Sequence, residues 1–108
     1  MRMLMKVTIP GAEGNAAVLN GSLGSTIGSI LADLKPESVY FLEENGLRTG
    51  IIVFNLDNPS QIPGAAEPWF LAFNAKVELH PAMTVEDLKN SAPGMQNAVQ
   101  KYASAGRK

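Results

Sequence analysis

Ser38-Val39-Tyr40-Phe41-Leu42-Glu43-Glu44-Asn45-Gly46-Leu47-Arg48-Thr49-Gly50-Ile51-Ile52-Val53-Phe54-Asn55 is the most informative stretch of this chain. Two runs rich in β-branched and aromatic residues, Ser38 to Leu42 and Gly50 to Leu56, flank Asn45-Gly46. Asn-Gly is the strongest short hairpin signal, because a two-residue type I′ turn needs positive φ at both central positions. With that turn, Glu44 pairs with Leu47, Phe41 lies opposite Gly50 and Tyr40 opposite Ile51. One face then carries Val39, Phe41, Ile52 and Phe54, all apolar; the other carries Tyr40, Ile51, Val53 and Asn55, apolar with polar groups mixed in. A slip of one residue scrambles this sorting, so the pattern supports the register that the turn proposes.

Working outward, Met3 to Ile9 alternates with Met3, Met5, Val7 and Ile9 on one side, which predicts a half-buried strand ended by Pro10-Gly11. From about Asn15 to Lys35 the residues Ala16, Leu19, Leu23, Ile27, Ile30, Leu31 and Leu34 recur at helical spacing, which predicts one helix closed by Pro36. Gly21, Gly24 and Gly28 weaken its first half by about 1 kcal/mol each relative to alanine. Together with the serines and threonine between them they invite a phosphate-loop reading, but the run lacks the lysine and the spacing that such a loop requires.

Beyond Asp57-Asn58-Pro59, Ser60 is a candidate cap for a second helix to about Phe73, with Ile62, Ala66, Trp69, Phe70 and Phe73 inward and a break or kink at Pro68. Lys76 to His80 alternates again, Val77 and Leu79 against Lys76, Glu78 and His80, and stops at Pro81. Thr84-Val85-Glu86-Asp87 reads as a helix start, and Pro93 separates that helix from a last one near Gly94 to Tyr102. The small, polar end from Ala103 to Lys108 is expected to fray.

The order strand, helix, strand, strand, helix, strand predicts an α+β fold of the ferredoxin-like βαββαβ type, a four-stranded antiparallel sheet with helices on one face. Met5, Val7, Ile9, Val39, Phe41, Ile52, Phe54, Val77 and Leu79 are expected to face the helices. Lys6, Thr8, Tyr40, Ile51, Val53, Asn55, Glu78 and His80 fall on the opposite face, which is too apolar for open water and too polar for a plain core. Two copies that pair these faces bury the apolar part, so the partner expected from the sequence is a second copy, as a homodimer.

At 108 residues the chain supports one core. Its nine basic and ten acidic side chains give a formal charge of -1, which argues against nucleic acid and anionic membranes as partners. The absence of cysteine excludes disulfides and thiolate ligands, and one histidine leaves only scattered carboxylates for a metal, so neither a metal site nor a cofactor is expected. No window approaches the ~18 to 20 apolar residues of a membrane span. The start, Met1 to Val7, is too short an apolar run for a signal peptide, and the expected location is cytoplasmic.

Glu67-Pro68-Trp69-Phe70, followed by Val77-Glu78-Leu79-His80-Pro81 and set in this order of elements over residues 3 to 83, resembles the dimeric α+β-barrel superfamily, which includes muconolactone isomerase-like and antibiotic-monooxygenase-like proteins. The resemblance implies that any function lies in the barrel cavity, where family members either carry out cofactor-poor chemistry or have no known activity. It names no reaction.

His80 is the only histidine, the side-chain type that most readily exchanges protons near neutrality, and is the candidate acid or base; otherwise it is a strand-end residue at a dimer rim. Lys6 and Glu78 fall on neighbouring strands of such a fold and are read first as a cross-strand ion pair, then as substrate-binding groups. Tyr40 and Asn55 either hydrogen-bond a ligand or lend polar specificity to an interface. Trp69, with Phe70 and Phe73, has core spacing first and could form an aromatic ligand wall second. Two functions follow: a protein that binds or transforms a small apolar or aromatic metabolite with His80 as acid or base, and a non-enzymatic dimeric module.

Overall fold

The computed structural model describes residues 1 to 103, so the expected fraying of residues 104 to 108 lies outside the described part. Strands β1 (Arg2–Ile9), β2 (Ser38–Glu44), β3 (Leu47–Asn55) and β4 (Lys76–Pro81) form one antiparallel sheet in the order β2-β3-β1-β4. With α1 (Gly11–Leu19) and α2 (Leu23–Leu34) after β1, and α3 (Ile62–Phe73) between β3 and β4, this is the ferredoxin-like arrangement. In the hairpin Tyr40 pairs with Ile51, Phe41 with Gly50 and Glu44 with Leu47. Asn45 and Gly46 both take positive φ, 54° and 75°, as a type I′ turn demands.

The single first helix expected from Asn15 to Lys35 is in fact two. The Asn20 side chain accepts the Ser22 N–H at 2.9 Å and Gly21 takes φ 77°, so the chain turns here, while α1 starts earlier, directly after Pro10. The glycines of the rejected phosphate-loop reading thus divide between a turn, at Gly21, and the body of α2, at Gly24 and Gly28.

The start of α3 also differs from expectation. Asn58, rather than Ser60, is the cap: its side chain accepts the Ser60 N–H at 2.9 Å, and Gln61 accepts the Asn58 N–H at 3.0 Å, so a short 3-10 turn, Pro59–Gln61, leads into α3. The helix then runs unbroken through Pro68. Ala65, Ala66, Trp69 and Phe73 are its buried stripe, whereas Ile62 and Phe70, expected inside, are 37% and 42% exposed.

The core lies between the sheet and the helices. Met5, Val7, Ile52, Phe54 and Trp69 are its largest fully buried side chains, flanked by Met3, Ile9 and Phe73. Val39, Val77 and Leu79 are partly buried against it. Phe41 does not join it: α2 contributes no fully buried residue, and on the outer strand β2 the Phe41 ring is left 57% exposed.

After β4 the chain forms α4 (Val85–Asn90), α5 (Ala92–Ala98) and a π-helical turn, Val99–Ala103. The expected cap is present, Thr84 and Asp87 exchanging side chain to backbone hydrogen bonds, and Pro93 sits in the first turn of α5. Neither helix has a buried residue, and Val85, Leu88, Met95, Val99 and Tyr102 are exposed along this arm. The radius of gyration is 18.5 Å and the long axis 61 Å, against a radius of about 13 Å for a rounded domain of this length. Among the described residues no helix is long and apolar enough to cross a membrane.

Candidate functional site

Register places the open face of the sheet residue by residue. One row across it reads Tyr40, Ile51, Lys6, Glu78, and the next Ser38, Val53, Leu4, His80. Tyr40 is 70% exposed, Leu42 in the adjoining row is also exposed, and Ile51, Val53 and Leu4 are half-buried. Five of the expected site residues, Lys6, Tyr40, Asn55, Glu78 and His80, therefore share this face. They do not converge within one chain. Tyr40 lies on one outer strand and His80 on the other, three strand spacings or roughly 14 Å apart.

Lys6 and Glu78 are direct cross-strand partners in register, yet the expected ion pair is replaced by two others. The Lys6 ammonium reaches across β3 to Glu44, and Glu78 takes Lys76 at 3.1 Å. The bond to Glu44 raises the Lys6 pKa above its ordinary value against partial desolvation, and the bond to Lys76 lowers that of Glu78. Asn55 is also engaged: its amide donates to Asp57, and its Oδ1 accepts from the Met1 amino group at 2.9 Å. It borders a cleft of about 570 Å³ with a mixed lining that also involves Asp33, Asp57, Ile30 and Leu34. Among the described residues no three His, Cys, Asp or Glu side chains gather to hold a metal.

Trp69 does not join the open-face group; it is 1% exposed and lies on the helix side of the sheet. There it is a core residue, the first of its two expected roles. A second cleft, of about 610 Å³, opens between the first turns of α2 and the turn end of the sheet. Val7, Ile9, Leu23, Ile27, Phe41 and Trp69 give it apolar walls. Phe41 folds over its cross-strand partner Gly50, where a Cβ would stand 3.3 Å from the ring. Gly24 and Gly28 of α2 border the cleft, and a Cβ on either meets nothing within 4 Å. The indole Nε1 of Trp69 is buried and has no hydrogen-bond partner among the described residues.

Among the described residues Arg48 is the only charged one bordering this cleft. Sequence reasoning passed over it, although a signal was present: Arg48 alternates with Gly50, Ile52 and Phe54 and so puts a cation on the otherwise apolar side of β3. Its Nη1 donates to the Asn15 side chain at 3.0 Å and packs against Gly14, where a Cβ would come within 2.7 Å.

No protein-family model matches the chain, and no curated protein matches it. Among solved structures it is similar to a formyltetrahydrofolate deformylase from Pseudomonas putida KT2440, with 14% identity and a TM-score of 0.48 over 76% of this chain. The match spans 29% of that enzyme's chain.

Proposed function

We propose that this chain binds a small apolar or aromatic molecule in the cleft between α2 and the sheet, and that it works as a homodimer joined through the open sheet faces in the manner of the dimeric α+β barrels. The cleft carries the first half of this reading. It is walled by apolar side chains at the edge of the core, beneath a helix that packs on the sheet without fully burying any of its own residues. The exposed Tyr40 and Leu42, continuous with Ile51, Val53 and Leu4, support the second half. A ligand in the cleft lies across the sheet from His80, so binding does not draw on that residue. Acid or base chemistry by His80 belongs instead to a ligand held between two open faces, and a purely structural dimer uses those faces alone.

The neutral probe N-phenylnaphthylamine tests the cleft. It is expected to bind one per chain with enhanced fluorescence and to alter emission from Trp69, the only tryptophan. Gly28→Leu, which fills the cleft from a position with room for a side chain, is expected to abolish binding while the fold persists. Undiminished binding to that variant would overturn the assignment. For the dimer, light scattering at tens of micromolar should give twice the 11.5 kDa chain mass, and Tyr40→Lys should halve it; a monomeric wild type refutes the pairing.

A further inference from the structure

We infer that the molecule taken by this cleft is an amphipathic carboxylate, with its apolar body under α2 and its anionic head on Arg48. The inference rests on the cleft reading above and adds the chemical class. An apolar cleft alone selects only for size and hydrophobicity. This one has, among the described residues, a single cation at its border, and that cation is held in place. Asn15 accepts from one nitrogen of the guanidinium, and Gly14 leaves the space in which it lies. Arginine carries five N–H donors in a planar fork, so the bond to Asn15 leaves donors enough for a two-point bond to a carboxylate.

Among the described residues no acid takes that place. Glu43 is the cross-strand partner of Arg48, and Glu13 lies one residue before Gly14 on α1, yet neither forms an ion pair with it among the described residues. Among the described residues no other polar side chain rivals it as an anchor for an anion: Thr49 belongs by register to the open face of the sheet, where its hydroxyl donates to the Leu47 carbonyl at 3.1 Å, and the Trp69 N–H is buried. A ligand with a long apolar body and one acid group matches both parts of the site, whereas a neutral ligand leaves Arg48 unused and a cationic one is repelled by it.

Decanoate, decanol and decylamine, kept below their micellar concentrations, share one tail and differ in the head group. Their affinities can be read by displacement of N-phenylnaphthylamine and by Trp69 emission. Decanoate is expected to bind at least about tenfold more tightly than decanol, the scale of one charge-assisted hydrogen bond, and decylamine more weakly than either. Arg48→Gln should bring decanoate to the level of decanol and leave decanol unchanged, and Arg48→Lys should keep part of the preference. Gly14→Ala, which retains the arginine but displaces its guanidinium, should weaken decanoate alone. Glu43→Gln should tighten it. Equal binding of decanoate and decanol by the wild type, or a preference that survives Arg48→Gln, overturns the head-group assignment and leaves the cleft standing. Failure of all three to bind removes both.

Discussion

The Lys6 ammonium pairs with Glu44, two strands away, and not with Glu78, which sits directly opposite it on β4. The diagonal from Lys6 to Glu44 passes over β3 at Thr49, whose residue is only 2% exposed although it belongs to the open face. The ion pair thus lies over Thr49 on β3 and leaves Tyr40 and Leu42, on the outer strand β2, exposed. Because Glu44 is the main reason the Lys6 pKa is raised, Glu44→Gln should bring it back toward the ordinary lysine value, and Glu78→Gln should move it much less. Direct NMR titration of the lysine side chains checks this. The sign for stability follows: a raised lysine pKa supports the fold below the unfolded pKa and loses that support as pH rises through the folded one.

Gly21 and Gly24 lie three residues apart and should respond oppositely to alanine. Gly21 takes φ 77°, where a Cβ costs about 1 to 2 kcal/mol. Gly24 is within α2 with open space around it, so Gly24→Ala should stabilise by about 1 kcal/mol through helix propensity. Urea unfolding of the two variants gives the comparison, and equal destabilisation would contradict the division into two helices.

Trp69 links α3 to the sheet. Trp69→Ala should cost about 3 to 5 kcal/mol by leaving a cavity. In Trp69→Phe the lost volume is partly offset, because the buried N–H that it removes has no partner among the described residues and carries a desolvation cost of about 1 to 3 kcal/mol. Guanidinium unfolding should therefore place the phenylalanine variant much nearer wild type than alanine.

Asp87 holds the first turn of α4. The Thr84 backbone N–H, and then its hydroxyl, hold the Asp87 carboxyl below its usual range. A lowered carboxylate pKa supports the folded arm above the unfolded value of 3.8 and loses that support as pH falls through the folded value. The Thr84 and Asp87 amide signals should thus shift toward random-coil positions below about pH 4, and Asp87→Asn should weaken the cap at neutral pH with little effect on the sheet.

The legibility of the chain follows the range of its interactions. The hairpin, its register and its two faces were readable from Asn45-Gly46 and period-2 parity, because a two-residue turn leaves one pairing that sorts the side chains. The order of elements led to the ferredoxin-like sheet for the same local reasons, and Thr84 to Asp87 announced its own cap. Asn20-Gly21 could have signalled the break between α1 and α2, but the apolar spacing on either side ran through it. Other features depended on distance across the fold. Phe41 fits the core by parity and is left outside it by its place on an outer strand; Lys6 and Glu78 face each other and choose other partners, since long side chains reach beyond their nearest neighbours. Trp69 was separated from His80 by the thickness of the sheet. The cleft and the placement of Arg48 beside it arose only when α1, α2 and β3 came together. The sequence by itself determined which residues share a strand face, since backbone geometry repeats every two residues; the packing of helices on the sheet decided which of them meet, since that depends on contacts between distant parts of the chain.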